Sequence, residues 1–401
     1  MNEQMNTYTG IVEKIVNGGW GLVRHPEGVV FLNYVLPGEE VVYSIRERVK
    51  GILWGQVHEI TAPAQERIQP PCPYFGECGG CVFQHIPYPR QLEIKRDILA
   101  GDLARIGKME KRDIPVMGSE PYHYRARAKL KSDPETKGFL GFVKKGTHRI
   151  MRIDHCLLLP ERLNDFLRRW NSQDDPPVFF QMDAMWNPGD DRVTVHVTPP
   201  PDQEALTVLA RFRDIHFTWK GEESMGVTRF SVGDFQYRVS PAAFFQVNRF
   251  QWQPMLDVVE EYCVDCRTAI DLYSGVGFFL PVLKRHARQV IGVESSKLAS
   301  QLAALEFSDV RFFGIPVEKF QFPKADMLLC DPPRAGLSKT VMKRILEREV
   351  RRMIYISCNS ATFSRDLFVL RQNGYELMDL RLLDLFPQTP HVEVAALFER
   401  Q

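Results

Sequence analysis

Residues 268–277 read TAIDLYSGVG, and residues 289–294 read QVIGVE. An apolar run of strand length ends near Asp271, glycines follow at 275 and 277, and a helical stretch begins after them. The next apolar run ends on Glu294, 23 positions beyond Asp271. Strand, glycine turn, helix, strand and acid in that order are the opening of a doubly wound parallel sheet. Working outward, the runs VRFF, ADMLLCD, MIYISC, ELMDLRLLDL and VAALFER alternate with helical stretches as far as residue 400. The pattern predicts a Rossmann-like α/β domain over residues 236–401. Ligands of such a sheet collect at the carboxyl ends of its strands. Asp271, Glu294, Asp331 and Cys358 all fall there.

The glycine turn bears on the ligand. Gly275 and Gly277 let backbone come close to a bound molecule, and Glu294 can accept from both hydroxyls of a ribose. The third glycine of the dinucleotide fingerprint is missing, and no lysine follows to hold phosphates. That combination suits S-adenosylmethionine better than a nucleoside triphosphate. Cys358 stands in YISCNSATFSRD, residues 355–366, at the carboxyl end of a strand and before small polar residues. It is placed as a nucleophile, although a buried core thiol is the commoner fate of a cysteine.

The chain has eight cysteines, and its opening MNEQMNTYTG shows neither a basic nor an apolar signal region. Cysteines without an export signal point to metal or catalytic roles in a cytoplasmic protein rather than to disulfides. Cys72-x5-Cys78-x2-Cys81 forms a local triplet, and Cys156 follows 75 positions after the last of them. Four thiolates suit zinc or an iron–sulfur cluster. The five-residue gap exceeds zinc-knuckle spacing and favours [4Fe-4S] in a structural role. Cys263-x2-Cys266 lacks a second pair and reads as incidental; Cys330 reads as core.

Residues 1–61 alternate short apolar runs with glycine turns and predict five strands, a small OB-like β-barrel of a kind used on nucleic acid. A proline-rich linker, TAPAQERIQPPCP, leads into a central α+β domain over residues 62–235. QLEIKRDILAGDLARIGK, residues 91–108, has helical periodicity. The formal net charge of +1 says nothing about partners, but residues 122–152 hold nine Lys/Arg against two Asp/Glu, a local +7. Arg125, Arg127, Lys129 and Lys131 alternate with apolar residues, which predicts a strand with one cationic face turned to a polyanion. Residues 138–153 are its expected hairpin partner. No apolar run reaches the length of a bilayer span, and no obligate protein partner is evident.

With these residues in view, the chain resembles the iron–sulfur RNA (uracil-C5)-methyltransferases that act on ribosomal and transfer RNA. SPAAFFQVN, DLYSGVG, VE, CDPPRAGL, YISCN and FPQTPHVE occur in the family's order, and the amino-terminal barrel looks like the TRAM domain. The resemblance implies that Cys358 is the nucleophile and Glu393 the base that removes the C5 proton. It implies that Gln246, Tyr273, Glu294 and Asp331 line the S-adenosylmethionine pocket, and that Cys72, Cys78, Cys81 and Cys156 hold a [4Fe-4S] cluster. His391, two residues before Glu393, is a competing base. Phe244 and Phe245 are candidates to hold a splayed base, although aromatic pairs are more often core.

Four positions depart from the family pattern. Phe278 stands where an asparagine is usual, Pro316 where a polar residue meets the adenine side, ASQLAALEF lacks the family's asparagine, and Ser360 replaces the proline after YISCN. By position these changes touch the cofactor pocket. They keep open an alternative, an RNA-binding protein of the same fold with weakened catalysis.

Overall fold

The computed structural model describes residues 6–110, 112–222 and 226–401. The first five residues, part of the stretch read as lacking an export signal, lie outside them.

The expected barrel is present and closed. Its strands run in the order Thr7–Val16, Trp20–His25, Gly28–Leu32, Ile52–Ala62 and Glu40–Val49, and the last pairs back onto the first. Val12, Val23, Val30, Leu32, Val41 and Leu53 point inward and fill it. Closure leaves no free sheet edge.

Seven strands of the carboxyl-terminal half and one from the central region build an eight-stranded sheet. Its order is Arg311–Phe313, Ala287–Val293, Cys266–Leu272, Met327–Cys330, Arg352–Ser357, Glu393–Arg400, Tyr375–Leu383 and Val116–Met117. Seven of these strands were legible as apolar runs. The eighth, two residues long, is too short to show a period. The first five strands are parallel, and the connection reverses direction between Cys266–Leu272 and Met327–Cys330. That reversal is the switch point at which such sheets bind ligands. Met327–Cys330 is buried throughout, as expected of a strand covered by helices on both faces.

Between barrel and sheet lies a four-stranded sheet, Ile215–Thr218, Arg192–Thr198, Gln181–Asn187 and Arg127–Leu130. The helix Glu161–Asn171 packs on it through Phe166, Leu167 and Trp170. Besides Val116–Met117, two segments of the central region pack with the large sheet instead. Tyr88–Arg105 is the helix read in the sequence, and its Leu99 and Leu103 share a core with Leu367 of the helix Ser360–Gln372. The hairpin Thr228–Val232 and Phe235–Val239 lays Tyr237 on Phe278 with ring centres 5.6 Å apart. Among the described residues no helix is long and apolar enough to cross a membrane.

Candidate active site

Four strands deliver their ends to one edge. Tyr273 follows Cys266–Leu272, Glu294 follows Ala287–Val293, Asp331 follows Met327–Cys330 and Cys358 follows Arg352–Ser357. Glu393–Arg400 runs antiparallel to Arg352–Ser357 with Ser357 opposite Val394. The reversed direction brings the first residue of that strand, Glu393, to the edge where Cys358 leaves its own.

The glycine turn closes one side of a narrow cleft. Phe244, Gln246, Tyr273, Ser274, Gly275, Phe278 and Asp331 line it. Three of the four residues expected around the cofactor therefore share a wall. The fourth, Glu294, accepts from the backbone N–H of Gly275 at 2.9 Å and of Ser296 at 2.6 Å. Gln246 Nε2 lies 3.4 Å from Asp331 Oδ2. Gly275 has φ 55°, and a Cβ built there meets no atom within 4 Å, so its backbone faces open space. At Gly277, with φ 87°, a Cβ would stand 2.6 Å from Leu280 and 2.8 Å from Phe307, so only glycine packs there. Tyr273 also takes a left-handed φ of 63°, uncommon for an aromatic residue. Its side chain borders a second cavity of about 840 Å³, shared with Glu318, Pro333 and Gly336.

Asp271 adds a group whose role the sequence did not disclose. It is fully buried, and neither carboxylate oxygen has a hydrogen-bond partner among the described residues; the same holds for Ser274 Oγ. Burial, with Asp331 and Glu294 nearby, raises its pKa well above the carboxylate range. Ser274, whose buried hydroxyl lacks a partner, lines the cleft beside the open glycine turn, as a site for a polar ligand such as S-adenosylmethionine would need.

Cys358, Glu393, Asp331 and Arg334 form one electrostatic group. Burial, then Glu393 and Asp331, push the Cys358 thiol up to about 12, while Arg334 opposes them. Burial and Asp331 hold Glu393 well above the usual carboxylate range. Arg334 Nη2 lies 3.3 Å from His391 Nε2, so the guanidinium donates and the imidazole accepts there. Burial and Arg334 push His391 down to about 4. His391 is thus a neutral acceptor with its Nε2 lone pair engaged.

Burial also pushes Asp331 up to about 7, against the hydrogen bond from Gln246. The folded chain therefore holds this proton more tightly than the unfolded chain does. Stability falls as pH rises from the unfolded value near 3.8 through the folded value near 7. Asp331→Asn removes the burden. In urea unfolding, the variant is expected to gain most over the parent at about pH 8, with the gap closing toward about pH 4. A gap independent of pH would contradict the assignment.

The distant cysteine does join the triplet. Cys72, Cys78, Cys81 and Cys156 line one cavity of about 490 Å³ with Arg125 and Lys145. Burial and the neighbouring thiols push Cys81 up to about 12 and Cys156 up to about 11, with Arg125 opposing both. Among the described residues, no three His, Cys, Asp or Glu side chains form a group that could hold a single metal ion. Four thiols lining one cavity are a donor set that suits zinc or an iron–sulfur cluster.

Several expectations are corrected. The basic strand is Arg127–Leu130, and its partner is Gln181–Asn187 rather than residues 138–153. Those residues form their own hairpin, Gly141–Val143 with Ile150–Arg152, joined to the basic strand by the bridge Lys131–Gly141 and to the cysteine segment by the bridge Cys78–Lys144. The cationic face is also divided. Arg125 turns to the cysteine cavity, and Arg127 donates to the carbonyls of Ala243 at 2.7 Å and Pro241 at 3.0 Å. Arg127 thus braces the loop that carries Gln246. Lys129 and Lys131 line the same cavity as Arg125; Lys129 is largely exposed, and Lys131 lies 4.9 Å from the ring centre of exposed Phe180. Phe245 is core, packed edge-on against Phe230, Trp252 and Phe278, whereas Phe244 is 61% exposed at the cleft mouth. Ser360 does not touch the cofactor cleft. Its hydroxyl donates to Asp102 Oδ2 at 2.7 Å and accepts from Asn17 Nδ2 of the barrel at 3.0 Å.

The family model described as tRNA (Uracil-5-)-methyltransferase matches residues 300–401. An RNA methyltransferase of Aquifex aeolicus is 31% identical over 421 residues, spanning 97% of each chain. The 23S rRNA (uracil(1939)-C(5))-methyltransferase RlmD of Shewanella amazonensis is 30% identical, over 97% of this chain and 94% of that one. The crystal structure of Pyrococcus abyssi tRNA (uracil-54, C5)-methyltransferase in complex with S-adenosyl-L-homocysteine superposes with a TM-score of 0.76 at 25% identity. It covers 97% of this chain and 99% of its own. The chain belongs to the S-adenosylmethionine-dependent RNA (uracil-5-)-methyltransferase family.

Proposed function

We propose that this enzyme methylates C5 of a specific uridine through a covalent adduct between Cys358 and C6 of the base. The observation that carries the reading is the antiparallel register that sets Glu393 beside Cys358, with Asp331 within electrostatic reach of both. Uracil C5 is a poor nucleophile. Addition of the Cys358 sulfur to C6 makes the ring an enolate whose C5 can attack an electrophile. S-adenosylmethionine, when bound, supplies the methyl group as that electrophile.

Glu393 then removes the C5 proton, and the electron pair of that bond restores the C5–C6 double bond as the thiolate leaves. His391 is the weaker candidate, because its lone pair is held by Arg334 and its pKa is depressed. Asp331, once ionised, accepts from uracil N3–H, which neutral cytosine lacks; a polar mismatch of that kind discriminates strongly. Arg334 is the cation within reach of the thiolate. The base must leave its stack to reach a half-buried thiol, and exposed Phe244 is placed to hold it.

We read Gln246, Tyr273, Glu294 and Asp331 as cofactor-binding, and Cys72, Cys78, Cys81 and Cys156 as ligands of a structural [4Fe-4S] cluster. The chain divides on this reading into a barrel of residues 1–61 that contacts RNA, a cluster domain of 62–235 and a methyltransferase domain of 236–401. The barrel does not separate ribosomal from transfer RNA, because the tRNA-modifying neighbour matches over 97% of this chain. We favour ribosomal RNA on the higher identity of the 23S relative, 30% against 25%. Purified enzyme given labelled S-adenosylmethionine and each RNA in turn tests both levels. The expected product is 5-methyluridine in 23S RNA. Label in transfer RNA alone would overturn the preference, and no 5-methyluridine in either would overturn the function.

A further inference from the structure

The helix Tyr88–Arg105 buries three polar side chains, Gln91, Lys95 and Asp102. Spacings of four and seven set them on one face. Each grips a segment that leads to a reacting group.

Residues 384–392 connect the strand Tyr375–Leu383 to Glu393. Lys95 Nζ donates to Asp384 Oδ1 at 2.5 Å and to the carbonyl of Phe386 at 2.9 Å. Gln91 Oε1 accepts from the backbone N–H of Gln388 at 3.0 Å, and its Nε2 donates to Gln388 Oε1 at 3.0 Å. Gln388 holds a left-handed φ of 68°. Its carbonyl accepts from the N–H groups of Val82 and Phe83, directly after Cys81. At the other end of the helix, Asp102 accepts from Ser360, two residues past Cys358.

We propose that this buried polar stripe positions both reacting groups: Gln91 and Lys95 act through residues 384–388 on Glu393, and Asp102 acts through Ser360 on Cys358. The stripe rests on the reading of Glu393 as base and Cys358 as nucleophile. It requires no cluster chemistry of its own, but it gives the cysteine segment a task, because Val82 and Phe83 complete the grip on Gln388. Buried amides and an ion pair are costly to leave unpaired, and here all but Asp384 Oδ2 have partners, which favours one arrangement of the strap.

The two arms separate in kinetics. Loss of the base arm slows removal of the C5 proton, which follows adduct formation, so adduct accumulates. Loss of the nucleophile arm slows formation of the C6–S bond, so adduct does not accumulate. Gln388→Met removes only the side-chain link of the base arm; Ser360→Ala removes the hydroxyl of the other. Each is expected to lower kcat on the order of 10- to 100-fold, the scale on which small displacements act, with KM for RNA nearly unchanged. The steady-state RNA adduct, read on denaturing gels, should rise severalfold in Gln388→Met and fall in Ser360→Ala. Gln91→Leu should behave as Gln388→Met if it folds; if it does not, Gln388→Met decides.

Parental kcat and adduct fraction in both variants, with only the melting temperature lowered, would overturn the proposal. A fall in adduct in Gln388→Met would overturn it too. The underlying reading fails differently. If Glu393→Gln traps adduct and Gln388→Met does not, the positioning proposal alone falls; if Glu393→Gln traps none, the base assignment falls and takes the proposal with it.

Discussion

Cys358→Ala is expected to abolish 5-methyluridine formation, with a loss of about 10⁴-fold or more, the scale seen when a covalent nucleophile is removed. Among the described residues the other thiol near this edge is Cys330, which is fully buried at the end of its strand. The substitution should leave the fold intact. The helix Ser360–Gln372 is capped by Asn359, which accepts from the N–H groups of Ala361 and Thr362 at 3.0 and 3.2 Å, so the thiol does not hold the turn. S-adenosylmethionine binding, measured by calorimetry, should therefore be nearly that of the parent. Retained methylation with unchanged product would remove Cys358 from the chemistry.

Glu393→Gln is expected to stop the reaction one step later. Glutamine keeps the shape of the side chain but cannot accept the C5 proton as a base. The methylated adduct then has no route back to a free thiolate, so RNA should stay attached to the protein through denaturation. Turnover should fall by about 10² to 10⁴, the usual contribution of general base catalysis. The substitution also removes a group whose charge is disfavoured by burial and by Asp331, so stability at neutral pH should not suffer. The opposite phenotypes of these two variants, no adduct and trapped adduct, are hard to produce by general damage to the fold.

Much of the fold was legible because the sheet is buried on both faces. Its central strands appear as continuous apolar runs, and the residues that end them carry the chemistry. The barrel strands were legible from their short runs and glycine turns. The edge strand Val116–Met117 was not, being too short to leave a period.

In the site, Gly275, Asp331, Cys358 and Glu393 lay in motifs, and the structure gathers them. Arg127 was misread because alternation along a strand says which residues share a face but not which face meets solvent, while of the aromatic pair Phe245 took the core fate usual for such residues and Phe244 did not. Arg127 spends its charge on two backbone carbonyls, and Phe245 lies inside an aromatic cluster. Ser360 was assigned to the cofactor pocket by its place in a motif, yet its partners, Asp102 and Asn17, are 258 and 343 positions away. The stripe on Tyr88–Arg105 did leave a trace. A helix whose face toward the core carries Gln91, Lys95 and Asp102 has a low amphipathic contrast, and such polar intrusions into a buried face mark contacts that matter.

Whether the sulfur of Cys358 bonds the target base can be read from the trapped complex itself. RNA trapped on Glu393→Gln can be digested with nuclease and protease and its attachment site read by mass spectrometry. A nucleotide carrying an added methyl group, bound to the peptide that contains Cys358, is the predicted result. The same mass on a different peptide, or an unmodified Cys358 in every adduct recovered, would contradict it.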